Sequence, residues 1–365
     1  MKIVIFGLTI TSSWGNGHAT LWRGLCKSLT QAGHAIEFFE RDVPYYAGNR
    51  DLYDEPYGGI VLYREWDEVR AQAAQSIREA DAVIVTSYCP DALAAGDLAF
   101  ELGRGVRAFY DLDTPVTLSR LEAGDDVGYI GPRGLADYDL VLSFTGGGAL
   151  TALRERLGAR RAEPLFGHVD PEVHQRVAPQ PHYTAALSYL GTYSADRQPA
   201  LERLFVGPAR QRQAARFLIG GAQYPQDFPW SRNIYFVRHL PPSEHAAFFS
   251  SSRLTLNVTR RSMAQMGWCP SGRLFEAAAC GTALLSDEWD GLAEFFHPGS
   301  EILVASTEQD VLDALDVSDA EIARIAGAAR ERVLTQHTSA HRAGELCALL
   351  EQAGRAVGNR EAVEA

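Results

Sequence analysis

The chain has 365 residues, of which 46% are hydrophobic and 22% are charged, and its formal net charge is −12. This length fits about two domains, and the composition is typical of a soluble globular protein. The negative charge argues against a general affinity for nucleic acid or anionic lipid, so any anion-binding site must be local.

Five cysteines are spread along the chain without a C-x-x-C pair, which argues against a zinc site and against a disulfide framework. Their use suits a reducing compartment, so we expect a cytoplasmic protein. No segment approaches the roughly 18 apolar residues that a membrane-spanning helix needs. The opening M-K-I-V-I-F meets Gly7 and lacks a small-residue cleavage site, which predicts a first strand and not a signal peptide.

Short β-branched runs alternate with amphipathic stretches along the first half, which is the pattern of βαβ units in a parallel sheet. Leu21, Trp22, Leu25 and Leu29 repeat at helical spacing, and Gly33 ends that helix. The predicted strands of this half are 3–6, 36–39, 82–86, 107–110 and 140–144.

The pattern breaks at the proline-bearing segment V-A-P-Q-P-H, which begins at Val177, and then restarts. The predicted strands of the second half are 186–190, 216–219, 234–237, 254–257, 283–286 and 302–304. A capping box at 318–321 opens one late helix, and 343–353 forms another.

The predicted architecture is α/β, with Rossmann-like domains at 1–178 and 179–365 that face each other across a cleft. The last helix is a candidate to cross back to the first domain. The alternative is one large doubly wound sheet.

The loop after the first strand is rich in glycine and hydroxyl groups, and open α/β sheets bind ligands in such loops. It runs from Gly7 through Gly15, Asn16 and Gly17 to His18. Its spacing differs from the G-x-G-x-x-G of dinucleotide-binding proteins, so a nicotinamide site is weakly supported. His18 is a candidate to face the cleft, and a capping or structural role is equally open.

Two loops of the second half suit a nucleotide. The glycine turn at Gly191 and Thr192 leads into a helix start, where N–H groups and the helix dipole favour an anion, and Arg197 adds a full positive charge. Arg238 and His239 precede two prolines that stiffen their loop, so both are candidates to contact a base. An ordinary surface turn is the alternative in each case.

The segment G-R-L-F-E-A-A-A-C-G, which ends at Gly281, places a guanidinium and a carboxylate three residues apart on one face of an alanine-rich helix. Arg273 and Glu276 together suit the diphosphate and ribose of a sugar nucleotide. Ser271 precedes the helix, and Thr282 completes the tight turn after it. The alternative is an ordinary Arg–Glu pair on a helix surface.

The ordered set of segments resembles the GT-B glycosyltransferases of the group-1 type, and in detail the family named for the spore maturation protein CgeB. The resemblance covers nearly the whole chain. Its segments are S-S-W-G-N-G-H at 12–18, F-F-E-R-D-V-P at 38–44, Y-D-L-D-T-P at 110–115, L-G-T-Y-S-A-D-R-Q at 190–198, C-P-S-G-R-L-F-E-A-A-A-C-G at 269–281 and H-P-G-S-E-I-L-V at 297–304.

By this resemblance Glu276 holds the donor ribose, while the Gly191 turn, Arg197 and Arg273 bind the diphosphate. The further donor-side positions are Thr192, Arg238, His239, Ser271, Gly281 and Thr282. The family's E-x7-E pair is incomplete, because Trp268 stands where the first glutamate is expected. The retaining mechanism usual for the group therefore does not carry over directly.

Asp111 and Asp113 have the spacing of a D-x-D metal motif. In GT-B enzymes, however, the donor lies against the second domain, where arginines and amide dipoles can neutralise the leaving group. We therefore predict no required metal and no cofactor, and Asp113 either lines the acceptor side or caps the following turn. For an inverting reaction, His18 or Asp113 is the candidate general base.

The predicted function is a glycosyltransferase of the hexosyltransferase type. It uses a UDP-, dTDP- or GDP-linked sugar and a glycan, protein or small-molecule acceptor, with no nucleic acid and no transmembrane segment. Two alternatives stay open, which are a sugar-nucleotide epimerase on the same fold and a non-catalytic member that binds nucleotide or glycan.

Overall fold

The computed structural model describes residues 1–52 and 58–364. The chain divides into a first unit, Met1–Phe166 with Ser339–Ala365, and a second unit, Gly167–Thr338. The sequence analysis placed the boundary after residue 178, later than this division. The segment that follows Phe166 belongs to the second unit because its main chain is bonded there. Val169 donates to the carbonyl of His337, and Val177 donates to Ser250 Oγ.

The first unit contains a parallel sheet of seven strands within the described residues, in the spatial order β3-β2-β1-β4-β5-β6-β7. The strands are β1 (Lys2–Gly7), β2 (Ala35–Arg41), β3 (Gly59–Tyr63), β4 (Ala82–Thr86), β5 (Val106–Asp111), β6 (Leu140–Ser143) and β7 (Ala162–Pro164). Five of the seven were predicted. The strands β3 and β7 were missed. β7 has only three residues. β3 is a partly exposed edge strand that was missed although it carries the apolar run I-V-L-Y.

The helices of this unit that precede the boundary are α1 (His18–Gln31), α2 (Pro44–Ala47), α3 (Trp66–Glu79), α4 (Ala92–Leu102), α5 (Thr114–Glu122) and α6 (Gly148–Leu157). Successive residues of a strand point to opposite faces. Accordingly Val4 and Phe6 pack with α3 and α4 in one core, whereas Ile3 and Ile5 pack with α1 in the other.

The second unit has a parallel sheet of six strands in the part that the structure describes, in the order β10-β9-β8-β11-β12-β13. The strands are β8 (Ala185–Leu190), β9 (Phe217–Gly221), β10 (Ile234–Arg238), β11 (Ser252–Asn257), β12 (Ala283–Ser286) and β13 (Leu303–Val304). All six were predicted, with bounds within about two residues.

The α-helices of the second unit are α7 (Gln198–Leu201), α8 (Gly207–Gln211), α9 (Pro242–Ser250), α10 (Arg261–Met266), α11 (Gly272–Ala279), α12 (Leu292–Phe295), α13 (Glu308–Asp316) and α14 (Asp319–Gln336). A π-turn, Glu202–Val206, joins α7 to α8. Ser318 caps α14 by accepting a hydrogen bond from the Glu321 N–H, which is one half of the predicted capping box. The Glu321 carboxylate accepts from Arg324 instead.

The last helix, α15 (Ser339–Glu364), returns to the first unit and packs on α1. Ala343, Leu346 and Leu350 are buried there in the core that contains Ile3 and Ile5. None of the described helices is both long enough and apolar enough to cross a membrane.

Each sheet reverses its strand order at one point, which is β1/β4 in the first unit and β8/β11 in the second. Ligands of open α/β sheets bind outside the carboxyl ends of the strands at such points. The topology therefore points to the loops after β1, β4 and β5, and to those after β8, β9 and β11.

Candidate functional site

The Gly191 turn, at the carboxyl end of β8, is shaped by close approach to the neighbouring strand β9. The Gly191 N–H donates to the Gly220 carbonyl over 2.8 Å. Gly221 has a φ of +156°, and a Cβ there would lie 2.0 Å from the carbonyl oxygen of Gly191. A Cβ at Gly191 would lie 3.0 Å from Arg273 Nη2, so glycine at both positions brings the backbone close to a cation.

Arg197 is buried beside this turn. A short 3-10 turn, Ala195–Arg197, points its side chain back so that Nη2 donates to the Thr192 carbonyl over 2.6 Å. Its Nε has no hydrogen-bond partner among the described residues. Arg197 thus brings an unsatisfied donor and a positive charge to the turn. Its predicted role as a diphosphate ligand stays a prediction.

Arg273, on the first turn of α11, reaches the same place. Its guanidinium lies over the Tyr189 ring at 5.3 Å from the centroid, and Nη1 donates to Asn257 Oδ1 over 3.3 Å. Burial lowers the pKa of Arg273, and the positive charge of Arg197 lowers it further, whereas Tyr189 and Glu276 oppose this change. A guanidinium whose pKa is lowered by burial and by a second positive charge favours an anion beside it.

Glu276 lies one helical turn after Arg273, but its partners are two histidines. Oε2 is 3.5 Å from His245 Nδ1, and Oε1 is 3.8 Å from His174 Nε2. Burial alone raises the pKa of this carboxyl, but His174, His245 and Arg273 outweigh burial and lower the pKa to about 2. Among the described residues Arg273 and Glu276 form no ion pair with each other, so the alternative of a surface Arg–Glu pair is not supported. The Glu276 side chain is only 14% exposed.

The other predicted donor-side residues fall into two groups. At the end of β10, the His239 N–H donates to the Gly221 carbonyl over 2.7 Å, which brings the His239 main chain to the glycine turn, while the Arg238 side chain is exposed. Ser271 is the N-cap residue of α11, and its side chain makes no capping hydrogen bond.

Gly281 and Thr282 lie at the opposite end of α11 from Ser271, about 15 Å away along the helix axis at 1.5 Å per residue. The Thr282 hydroxyl donates to the Phe249 carbonyl, and Gly281 has a φ of +75° that makes the turn. The structure therefore gives these two residues a part in the fold, and we leave them out of the proposed donor-binding set.

Sequence reasoning missed four residues of this site, namely Tyr189, Asn257, His174 and His245. Asn257 is the last residue of a predicted strand and Tyr189 is the next to last of another, so the strand-end rule had a signal for them. His174 and His245 had none, because neither belongs to a motif and they reach Glu276 only through the packing of the second unit.

The loop after β1 in the first unit is held by a buried carboxylate. Glu40 accepts hydrogen bonds from the main-chain N–H groups of Ile10 and Thr11, and from the hydroxyls of Thr9 and Thr11. All of its acceptor capacity is thus directed at the loop, which leaves none for the ribose that an acid at this place binds in dinucleotide folds.

The two predicted catalytic residues lie together in the first unit. His18 Nε2 is 3.7 Å from Asp113 Oδ2, and each side chain is about one-fifth exposed. The preceding loop supports His18, because Asn16 Oδ1 accepts a hydrogen bond from the His18 N–H over 2.9 Å. Gly15 and Gly17 form the turn of the loop on either side of Asn16. Asp113 stands at the N-cap position of α5, but its side chain makes no capping bond. It faces the histidine instead.

Tyr88 and Asp111 complete these surroundings. Tyr88, at the end of β4, has a left-handed φ of +63°, and its ring centroid lies 5.7 Å from that of His18. Burial raises the pKa of Tyr88, and the Asp113 charge raises it further. Asp111 is fully buried, and its Oδ1 accepts hydrogen bonds from the Asp113 N–H and the Thr117 hydroxyl, each over 3.1 Å. Asp111 therefore holds the main chain of Asp113 in place.

Comparison with known proteins shows the fold. Residues 197–348 match a family model described as "Glycosyl transferase-like". No curated protein matches the chain in a sequence search.

Similar solved structures include sucrose-phosphate synthase from Thermosynechococcus elongatus, with 13% identity, coverage of 96% of this chain and 98% of that one, and a TM-score of 0.69. HepE from Anabaena, in complex with UDP and glucose, has 13% identity, coverage of 96% and 100%, and a TM-score of 0.69. An alpha-glucosyltransferase in complex with UDP-glucose and DNA containing an abasic site has 11% identity, coverage of 96% and 99%, and a TM-score of 0.70.

The predicted fold class, GT-B with two Rossmann-like domains, is confirmed by these structures. The match of residues 197–348 to the model described as "Glycosyl transferase-like" confirms the predicted enzyme class, a glycosyltransferase. The finer resemblance to the CgeB family stays a prediction.

Proposed function

We propose that the chain transfers a sugar from a UDP-sugar to an acceptor, and that the carboxyl edge of the second sheet binds the donor. The observation that carries this proposal is the convergence of Arg197 and Arg273 on the Gly191 turn, one helical turn from the carboxylate of Glu276. UDP is the favoured nucleotide because HepE was solved with UDP and with UDP-glucose.

The cationic turn suits the chemistry of the leaving group. Departure of UDP places negative charge on the diphosphate, and preorganised cations and N–H groups in a partly buried site stabilise that charge most strongly. Arg197 and Arg273 are both held in place before ligand binds, by the Thr192 carbonyl and by Asn257. The donor therefore has no need of a metal for charge neutralisation, and we propose that transfer is metal-independent.

Glu276 is proposed to accept hydrogen bonds from the two ribose hydroxyls. A carboxylate oxygen has more than one acceptor direction, so each oxygen can bind a hydroxyl while it faces a histidine. The depressed pKa of Glu276 keeps the group ionised at any physiological pH.

His18 is proposed as the base that takes the acceptor hydroxyl proton, with Asp113 beside it. A carboxylate next to an imidazole stabilises the imidazolium that forms when the proton is taken. This assignment applies to an inverting reaction. The acceptor class is open between glycans, proteins and small molecules, and the CgeB resemblance favours a glycan or protein of a surface-maturation system.

The proposal is tested by titrating UDP and uridine into wild type and into Glu276→Ala by calorimetry. Loss of the ribose acceptor leaves hydroxyl groups unpaired at about 1–3 kcal/mol, so both ligands should bind roughly 10-fold more weakly. If UDP and uridine bind wild type and variant equally, the assignment of the donor site to this edge of the sheet is wrong.

Turnover assays with UDP-sugars separate the rival functions. Product that forms without acceptor would indicate an epimerase, and tight UDP binding without transfer or hydrolysis would indicate a binding protein. DNA belongs in the acceptor panel because one structural neighbour was solved with it, although the charge of −12 argues against it here.

A further inference from the structure

Three ligand-type side chains meet inside the second unit. His174 comes from the turn after Asp170, His245 from α9 and Glu276 from α11. One nitrogen of each histidine and one carboxylate oxygen all lie within 4.8 Å of one another. The two histidine–carboxylate separations are 3.8 and 3.5 Å.

The contacts within this cluster are too long for direct hydrogen bonds. Neither His174 Nε2 nor His245 Nδ1 has a hydrogen-bond partner among the described residues. The His174 side chain is only 4% exposed, so water does not replace the missing partner easily. A buried polar group without a hydrogen-bond partner is energetically unfavourable. A single ligand that contacts all three side chains would remove this cost.

The separations suit a metal ion at the centre. Zn²⁺ binds imidazole nitrogen and carboxylate oxygen at about 2.0–2.2 Å, and a tetrahedral site then has ligand atoms about 3.4 Å apart. The two histidine–carboxylate separations of 3.5 and 3.8 Å come near this spacing, and the histidine nitrogens lie within 4.8 Å of each other. Two imidazoles and one carboxylate also match a known zinc ligand set, and they disfavour Mg²⁺, which prefers oxygen ligands.

We propose that His174, His245 and Glu276 form a Zn²⁺ site with one open coordination position. The ion ties the turn at His174 to α9 and α11. Cysteine spacing argued against zinc, but it had no bearing on a site built from histidine and glutamate.

The test uses the whole chain after treatment with a chelator, titrated with Co²⁺ as a coloured stand-in for Zn²⁺. We expect saturable binding of one ion, with the visible absorption of four-coordinate Co²⁺ that Zn²⁺ displaces and Mg²⁺ does not. His245→Ala should weaken Co²⁺ binding at least as much as loss of an orienting group near a metal does, which is about 10–100-fold. No nucleotide is present, so the outcome is independent of the proposed function.

His182→Ala is the matched control, since it removes an exposed histidine of the same unit and should leave Co²⁺ binding unchanged. Glu276→Gln serves as a second variant, because it keeps the shape of the side chain while removing the charged ligand. Lack of saturable Co²⁺ and Zn²⁺ binding by wild type would overturn the proposal. Equal Co²⁺ affinity in wild type, His245→Ala and Glu276→Gln, all shown folded by circular dichroism, would do so as well.

Discussion

Asp111 makes the first unit less stable at neutral pH than in mild acid, and Asp111→Asn should remove this dependence. The side chain has no exposed surface, and burial raises its pKa from 3.8 to about 6, although hydrogen bonds from Asp113 and Thr117 lower it in part. Asparagine keeps an acceptor where Oδ1 lies and never ionises.

The sign follows from proton binding. The native chain holds the Asp111 proton more tightly than the unfolded chain, so stability is complete below the unfolded pKa of 3.8 and is lost as pH rises through about 6. The difference between the two pKa values corresponds to about 3 kcal/mol at 1.36 kcal/mol per pKa unit, and about 2 kcal/mol of it falls between pH 4.5 and 7.5.

The assay is urea denaturation of wild type and Asp111→Asn at both pH values. Hydrogen exchange of the β4 and β5 peptides reports the first unit separately from the second. The variant should gain about 2 kcal/mol relative to wild type between pH 4.5 and 7.5. Comparing the two proteins at each pH cancels the titration of every other group.

Val85→Ala, in the neighbouring strand β4, is the control. It removes buried methyl groups without changing a charge, so it should destabilise the unit equally at both pH values. If Asp111→Asn also shifts stability equally at both pH values, Asp111 acts only through its hydrogen bonds and the reasoning from burial is wrong.

Three further predictions concern the two sites. His18→Ala should lower turnover by about 10²-fold or more while UDP affinity stays unchanged, as steady-state kinetics and calorimetry would show. Arg197→Ala and Arg273→Ala should weaken UDP but not uridine, because their charge pairs with phosphate; equal losses for both ligands would contradict this. Glu40→Ala leaves two buried main-chain N–H groups unpaired and should cost about 2–6 kcal/mol in urea denaturation, whereas Glu40→Gln, which keeps one acceptor oxygen, should cost less.

Much of the fold was accessible from the sequence because buried parallel strands are continuous apolar runs. The strands at Ala82–Thr86 and Ala283–Ser286 were predicted with their observed bounds for this reason. The edge strand Gly59–Tyr63 was missed although it carries a run of the same kind, I-V-L-Y. Local rules also worked where the cause is local, as at the Ser318 cap.

The predicted site residues on one helix or one loop needed only local geometry. The one-turn spacing of Arg273 and Glu276 follows from the period of a helix, and the position of His18 follows from the end of its loop. Their assignment to donor and acceptor roles came from family resemblance and stays a proposal.

Only the tertiary structure determined which side chains Arg273 and Glu276 contact. The Arg273 side chain contacts Tyr189 and Asn257 instead of Glu276. The Glu276 carboxylate lies beside His174 and His245. These side chains come from segments far apart in the chain, and the order in which parallel strands pair is what brings such segments together. Amino-acid spacing encodes which face a residue occupies on its own element, whereas the packing of whole elements sets which residue it finds there.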